Sequence, residues 1–263
     1  MDKPLVMGIL NVTPDSFYSG SMAAGTDEYL ARATKMLAEG ADIIDVGGQS
    51  TRPGSTRIEA DEEIQRVVPV IEAISNALPQ AVISIDTYHA AVARAAVDAG
   101  ASMVNDISGG ELDPQMIPTV ASLGVPYIIM HMKGDPSTMQ DLAVYTDLIR
   151  EVIDYFISKV DACRKAGIRD IIIDPGFGFA KLPDHNFLLL RQLDMFRILG
   201  LPILAGLSRK STIYKTLGTT AEHALNGTTV LNTIALLNGA SILRVHDTKE
   251  AVEAVTLVGR YMD

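Results

Sequence analysis

Short apolar runs rich in β-branched residues recur along the chain, and each gives way to a longer stretch where Ala, Leu, Glu and Ile return with helical spacing. Eight runs qualify: Leu5–Leu10, Asp42–Val46, Val82–Ile85, Ser102–Asp106, Pro126–Met130, Asp170–Asp174, Pro202–Leu207 and Ser241–Val245. Such alternation is the mark of a parallel sheet covered by helices. Glycines stand ahead of four runs, in Glu39-Gly40-Ala41-Asp42, Ala99-Gly100-Ala101-Ser102, Ala166-Gly167-Ile168 and Asn238-Gly239-Ala240, where each fits a helix C-cap that turns the chain into a strand. Repeated βα units of about 33 residues, eight in number, predict one closed (β/α)8 TIM barrel spanning 1–263. The structural rival is an open, doubly wound sheet. That fold usually opens on a glycine-rich turn, whereas the first turn here is Asn11-Val12-Thr13-Pro14-Asp15.

Length agrees with this reading, because α/β barrels often use about 250 residues as one unit and this chain has 263. No Pro-, Ser- or Gly-rich linker and no block of like charge divides it. Lys and Arg total 22 against 32 Asp and Glu, a formal charge of -10 that disfavours nucleic acid and anionic membranes as partners. A small anionic substrate would therefore need locally placed basic residues. Cys163 stands alone, which excludes an internal disulfide; it reads as a small packed side chain in a reducing compartment. Met1–Lys3 leads into Leu5–Leu10, too short for a signal-peptide core, and no segment approaches 18 consecutive apolar residues. The expectation is a cytoplasmic protein.

Catalytic groups in a barrel sit where the strands end. The ends here are polar at every position: Asn11, Thr51-Arg52, Asp86, Asn105-Asp106, His131, Asp174, Ser208-Arg209-Lys210, and Arg244 with His246. Asp86 and Asp174 each close an apolar strand, and an unpaired buried carboxylate costs several kcal/mol. They must meet donors; the adjacent N–H and NH₂ groups of an aminopyrimidinone edge would satisfy one of them bidentately, and Asn105 could read the same ring. Metal ligation is the competing role for the acids, although no HExxH or EF-hand spacing supports a protein-built cage. Phosphate sites in barrels favour the loops after strands seven and eight, where Arg244-Val245-His246-Asp247 lies; strand alternation puts Arg244 and His246 on one side. These features predict a pocket for a flat, nitrogen-rich substrate bearing a phosphate-type anion.

Other patterns carry less. Gly176-Phe177-Gly178-Phe179-Ala180-Lys181 lacks the third glycine of a dinucleotide fingerprint, and the segment from Gly20 to Gly25 is followed by Thr26 instead of the lysine of a P-loop. Gly206-Leu207-Ser208-Arg209-Lys210 has lysine where a nucleophile elbow needs glycine. The methionines read as core filler, and Glu59-Ala60-Asp61-Glu62-Glu63 reads as a solvated helix start.

Taken together, the motifs resemble those of the dihydropteroate synthase family from first strand to last. The segments that carry the resemblance are Met7-Gly8-Ile9-Leu10-Asn11-Val12-Thr13-Pro14-Asp15-Ser16-Phe17, Asp45-Val46-Gly47-Gly48-Gln49-Ser50-Thr51-Arg52-Pro53-Gly54, Ser84-Ile85-Asp86-Thr87 and Asn105-Asp106-Ile107-Ser108-Gly109-Gly110. Asp174-Pro175-Gly176-Phe177-Gly178-Phe179, Ser208-Arg209-Lys210-Ser211 and Arg244-Val245-His246-Asp247 complete the order. The resemblance implies a transferase of folate biosynthesis and a target of sulfonamides. It would condense 6-hydroxymethyl-7,8-dihydropterin pyrophosphate with p-aminobenzoate, releasing pyrophosphate that carries Mg²⁺. By position it makes Asn11 a Mg²⁺ ligand and gives Arg52, Arg244 and His246 the pyrophosphate. Asp86, Asn105, Met130, Asp174 and Lys210 would hold the pterin, while Thr51, Pro53, Phe179 and Ser211, covered by Phe17, would shape the p-aminobenzoate pocket.

The chemistry suits those roles. As pyrophosphate leaves, the pterin ring delocalises the positive charge that develops at its exocyclic methylene, and an aspartate about 4 Å away contributes on the order of 4 kcal/mol at an effective dielectric near 20. Asp86 is the candidate for that role, with Lys210, Arg244 and Asn11 assisting departure. A homodimer is expected from the resemblance and from the apolar helix Thr228–Leu237. The family usually has Glu where this chain has Gln49, which removes a charge beside Arg52. Two rivals differ in class: a pterin-binding methyltransferase, disfavoured by the intact Ser208-Arg209-Lys210-Ser211 and Thr51-Arg52-Pro53-Gly54, and a non-catalytic pterin-binding paralogue, disfavoured by retention of Asn11, Asp15, Phe17 and Arg52.

Overall fold

Each of the eight apolar runs holds a strand, and between successive strands the chain forms helices. The structure, a computed structural model, describes residues 3–12, 22–49 and 57–262. In order these are β1 (Leu5–Asn11), α1 (Met22–Ala38), β2 (Ile43–Gly47), α2 (Ala60–Ala77), β3 (Val82–Asp86), α3 (Ala90–Asp98), β4 (Met103–Asp106) and α4 (Met116–Leu123). They continue with β5 (Tyr127–Met130), α5 (Leu148–Ala166), β6 (Ile171–Asp174), α6 (Pro183–Arg191), β7 (Leu204–Ala205), α7 (Ser211–Thr216), α8 (Leu225–Leu237), β8 (Ile242–Val245) and α9 (Thr248–Met262). The strands pair in parallel in the order β6-β5-β4-β3-β2-β1-β8-β7. Closure comes at the β6–β7 seam, where Ile173 bridges Ile203 and the Ile173 N–H donates to the Pro202 carbonyl at 3.0 Å.

The four capping glycines do what the sequence requires of them. Gly40, Gly100, Gly167 and Gly239 lie at φ of 99°, 118°, 100° and 98°, a region that L side chains rarely enter. Strand seven is the exception to the predicted bounds. Only Leu204–Ala205 forms a regular ladder, because Pro202 lacks an N–H to donate and serves the seam through its carbonyl alone.

Strand alternation sorts the barrel into layers. Val6, Leu10, Ile44, Val46, Ile83, Ile85, Ile129, Ile173 and Leu243 point outward into the core shared with the helices. Met7, Ile43, Met103, Ile128, Ile172, Leu204 and Ile242 pack against one another as a separate inner layer. Two residues further along their strands stand Asp45, Asn105, Met130, Asp174, Gly206 and Arg244. The same period that fills the lower barrel with methionine, leucine and isoleucine therefore delivers polar groups to its C-terminal mouth.

One expectation fails in α2. Asp61 and Glu62 are exposed, as a solvated helix start predicts, but Glu63 is buried under Gly48 and its Oε2 accepts a hydrogen bond from Thr87 Oγ1 at 3.1 Å. Burial, reinforced by the negative charge of Asp86, pushes its carboxyl up to about 8 against the opposing Thr87 bond and Arg66. Cys163 is buried and unpaired, as expected of a packed side chain. No described helix is long and apolar enough to cross a membrane.

Candidate active site at the barrel mouth

Arg244 organises the centre of the mouth. Its Nε donates to Asp45 Oδ2 at 2.6 Å and a terminal nitrogen donates to Asp86 Oδ2, while Asn105 Nδ2 donates to the same Asp45 oxygen at 3.0 Å. Register brings them together: Gly47 pairs with Asp86 and Asp86 with Asn105. Two buried carboxylates thus share one guanidinium. Burial pushes Asp86 up to about 7; Arg244 opposes this, and Asp45, Asp106 and Asp174 add to it. Burial also works against the Arg244 charge, but Asp45 and Asp86 outweigh it and hold its pKa above the ordinary guanidinium value. Among the described residues Asp45 Oδ1 and Asp86 Oδ1 have no partner, so each retains acceptor capacity.

A second charge pair faces the first. Asp174 ends β6 and accepts from the Gly176 N–H at 2.8 Å; burial raises its pKa while Lys210 lowers it. Lys210 precedes α7, donates from Nζ to the Phe177 carbonyl and lies 4.7 Å from the centre of the Phe179 ring. Burial depresses it to about 8, against the pull of Asp174. Gly206 adjoins this pair, for a Cβ there would stand in ordinary contact with it, 3.6 Å from Lys210 Nζ and 3.9 Å from Asp174 Oδ2. Buried Met130, in register with Asp174, adds an apolar surface, and half-buried Phe179 adds an aromatic one. A flat heterocycle with an N–H and amine edge has acceptors, a cation and apolar walls within this space.

The remaining candidates are placed around the rim. Asn11 is half-buried at the end of β1, in register with Gly47. His246 is exposed just past β8; its Nδ1 is 3.0 Å from Ser208 Oγ, and its backbone N–H donates to that oxygen at 3.1 Å. Ser211 is the first residue of α7. Phe17, Thr51, Arg52 and Pro53 lie outside the described residues. Gln49 is buried and uses both ends of its amide: Nε2 donates to Tyr88 Oη at 2.6 Å, and Oε1 accepts from the Ile58 N–H at 3.4 Å. A glutamate here would need the Tyr88 hydroxyl to become the donor.

Several strand-end residues serve the frame instead of the mouth. Asp106 accepts from the Ser108 and Gly110 N–H groups and from Tyr127 Oη, all at 2.7 Å, and so closes the β4 turn. His131 is buried against Lys181. Arg209, at φ 54°, grips Asp247 with two bonds of 2.8 Å. Conversely, Asp45 and Lys181 were not singled out from the sequence. Asp45 could have been found, since it stands two residues past inward Ile43; Lys181 follows a loop with no such period.

A protein-family model described as "Pterin binding enzyme" matches residues 7–246 of the chain. The chain is 44% identical over 260 residues to a dihydropteroate synthase of Escherichia coli (strain K12), covering 98% of this chain and 92% of that one. A solved Yersinia pestis dihydropteroate synthase in complex with a sulfonamide drug superposes with a TM-score of 0.93 at 41% identity, covering 99% and 94% of the two chains. A Xanthomonas albilineans dihydropteroate synthase with 4-aminobenzoic acid gives a TM-score of 0.92 at 40% identity, again covering 99% and 94%.

Proposed function

This chain belongs to the family of pterin binding enzymes, and from that membership we propose how it works as a dihydropteroate synthase. It is a transferase of folate biosynthesis that joins 6-hydroxymethyl-7,8-dihydropterin pyrophosphate to p-aminobenzoate and releases pyrophosphate. The observation that carries the mechanism is the pair of opposed charge clusters at the mouth, Arg244 with Asp45 and Asp86 on one side and Lys210 with Asp174 on the other. Asp174 and Asn105 take the donor and acceptor edge of the pterin, with Met130 along its face and Lys210 as a donor. Asp86, ionised, faces the methylene as positive charge develops there, so its attraction grows toward the transition state and lowers the barrier. The arylamine attacks as a neutral nucleophile and needs no strong base; Phe179 and Ser211, with Phe17, Thr51 and Pro53, shape its pocket.

Pyrophosphate departs toward Arg244, His246 and Arg52. Mg²⁺ would neutralise its charge when bound, and the carboxamide oxygen of Asn11 is a hard donor suited to that ion, which takes most of its remaining ligands from phosphate and water. A homodimer is supported by an apolar groove of about 450 Å³ between α6 and α8, lined by Phe187, Leu188, Leu231 and Ile234. A cytoplasmic setting is supported by the lone, unpaired Cys163. The test is pyrophosphate release from the pterin pyrophosphate with and without p-aminobenzoate and Mg²⁺. Release that requires both supports the proposal; release that requires neither is hydrolysis and defeats it.

A further inference from the structure

Lys181 is an amine inside the protein. It is 3% exposed, and none of the roles assigned above uses it. Three acceptors converge on its Nζ: the Phe179 carbonyl at 3.0 Å, His131 Nδ1 at 2.9 Å and the His131 carbonyl at 3.4 Å. An ammonium has three protons and no lone pair, so this set matches it one for one; burial depresses Lys181 to about 7, and the negative charge of Asp174 opposes that fall. Burial and the neighbouring charges of Lys181 and Lys133 push the His131 ring down to about 2, which keeps the ring neutral and its nitrogen an acceptor.

The loop that Lys181 closes carries Phe179. Its start rests directly on the end of β5: a Cβ on Gly176 would fall 2.1 Å from the His131 carbonyl oxygen and 3.3 Å from Lys181 Nζ. Other groups hold the neighbouring peptides. Lys210 donates to the Phe177 carbonyl, Asn186 Oδ1 accepts from the Gly178 N–H at 2.7 Å, and Tyr145 Oη donates to the Ala180 carbonyl at 2.9 Å. Lys181 supplies the bond to the carbonyl of Phe179 itself, whose N–H donates to the Gly176 carbonyl at 3.1 Å.

We propose that Lys181 is a positioning residue for the arylamine substrate: by tying the Phe179 carbonyl to the end of β5, it sets where the Phe179 ring stands beside the pterin site. This rests on the reading of Phe179 as a wall of the p-aminobenzoate pocket. Replacing the ammonium with an apolar group strands two carbonyls, because only His131 Nδ1 can answer by moving a proton. The Phe179 carbonyl then loses its partner and the residue keeps only the bond from its N–H to the Gly176 carbonyl at 3.1 Å, whereas Lys210 still holds the Phe177 carbonyl on the pterin side. The consequence is selective for the second substrate.

The experiment is a kinetic double-mutant cycle on the full-length enzyme with Lys181→Met and Phe179→Leu, and with Val160→Ala in α5 as a buried control away from the loop. Lys181→Met raises KM for p-aminobenzoate about tenfold, with kcat and KM for the pterin pyrophosphate within about twofold. In the Phe179→Leu background the same change adds less than about twofold, because the ring it positions is gone. Val160→Ala lowers the melting temperature without splitting the two KM values. If Lys181→Met does not fold, His131→Leu removes one acceptor of three and carries the same test with a shift of about threefold. Equal effects on both KM values, or full additivity with Phe179→Leu, overturn the proposal. A wild-type protein without synthase activity would instead remove the functional reading beneath it.

Discussion

Asp45→Asn isolates the electrostatics of the mouth from its geometry. Asp45 Oδ2 accepts both the Arg244 and the Asn105 bonds, and Oδ1 has no partner among the described residues. An asparagine whose oxygen takes the Oδ2 position keeps both bonds and puts its NH₂ where Oδ1 already lacked a partner. The fold should survive, losing only the charge assistance of the two bonds, about 1–2 kcal/mol, instead of the 3–5 kcal/mol that follows when a buried charge is left alone. The change falls on Asp86. Asp45 is among the charges that push Asp86 up to about 7. Two carboxylates on one guanidinium repel across roughly 6 Å, which at an effective dielectric near 20 amounts to about 2.8 kcal/mol, or two pKa units as an upper bound. Arg244, still bonded at position 45 but no longer facing a charge there, attracts Asp86 the more strongly and shifts it the same way. Asp86 must be ionised to stabilise the cation, so kcat/KM of the wild type falls as pH drops through about 7. In Asp45→Asn the acid limb moves down by about one to two units. Pyrophosphate release, followed from pH 5 to 9 and normalised to each plateau, reads the shift. A limb that stays in place, or moves up, refutes the assignment of that limb to Asp86.

Asp86→Asn keeps the barrel, because the amide still accepts from Arg244, but lowers turnover by about a hundredfold or more at saturating substrates; an unchanged rate takes Asp86 out of the mechanism. Glu63 is raised in the folded state, so it favours folding fully below about 4.5 and loses that contribution as pH rises through about 8. Urea unfolding of wild type and Glu63→Gln over this window should show their stability difference changing by up to about 5 kcal/mol in favour of the variant at high pH, and a constant difference rejects the assignment. Val230, 50% exposed on α8 one turn before Ile234 of the groove, extends the apolar face proposed to pair. Val230→Arg should shift the mass in sedimentation from dimer to monomer without loss of helicity, and an unaltered mass moves the interface elsewhere.

Strand positions were readable from the chain because a buried parallel strand must be apolar and a helix end that reverses into it calls for glycine; Gly40, Gly100, Gly167 and Gly239 all take that conformation. The end residues Asp86, Asn105, Asp174, Lys210 and Arg244 were readable too, since a barrel gathers its strand ends at one mouth. Sequence could not say which of them face one another. The pairing of Arg244 with Asp45 and Asp86 joins residues 199 and 158 positions apart, and it exists only because strand eight closes against strand one. Nor could it separate mouth from frame: Asn105 and Asp106 are neighbours in sequence, yet a period of two turns Asn105 toward Asp45 and leaves Asp106 bracing the turn. Glu63 read as a solvated acid because charge and position in a first turn are local properties. Its burial was decided by Gly48, which brings the β2 loop down on it, and Lys181 was decided likewise by Gly176 resting on His131. Local pattern determines which residues form each element and which face they take. Desolvation and partner choice depend on what other elements bring into contact, and only the closed barrel supplies that.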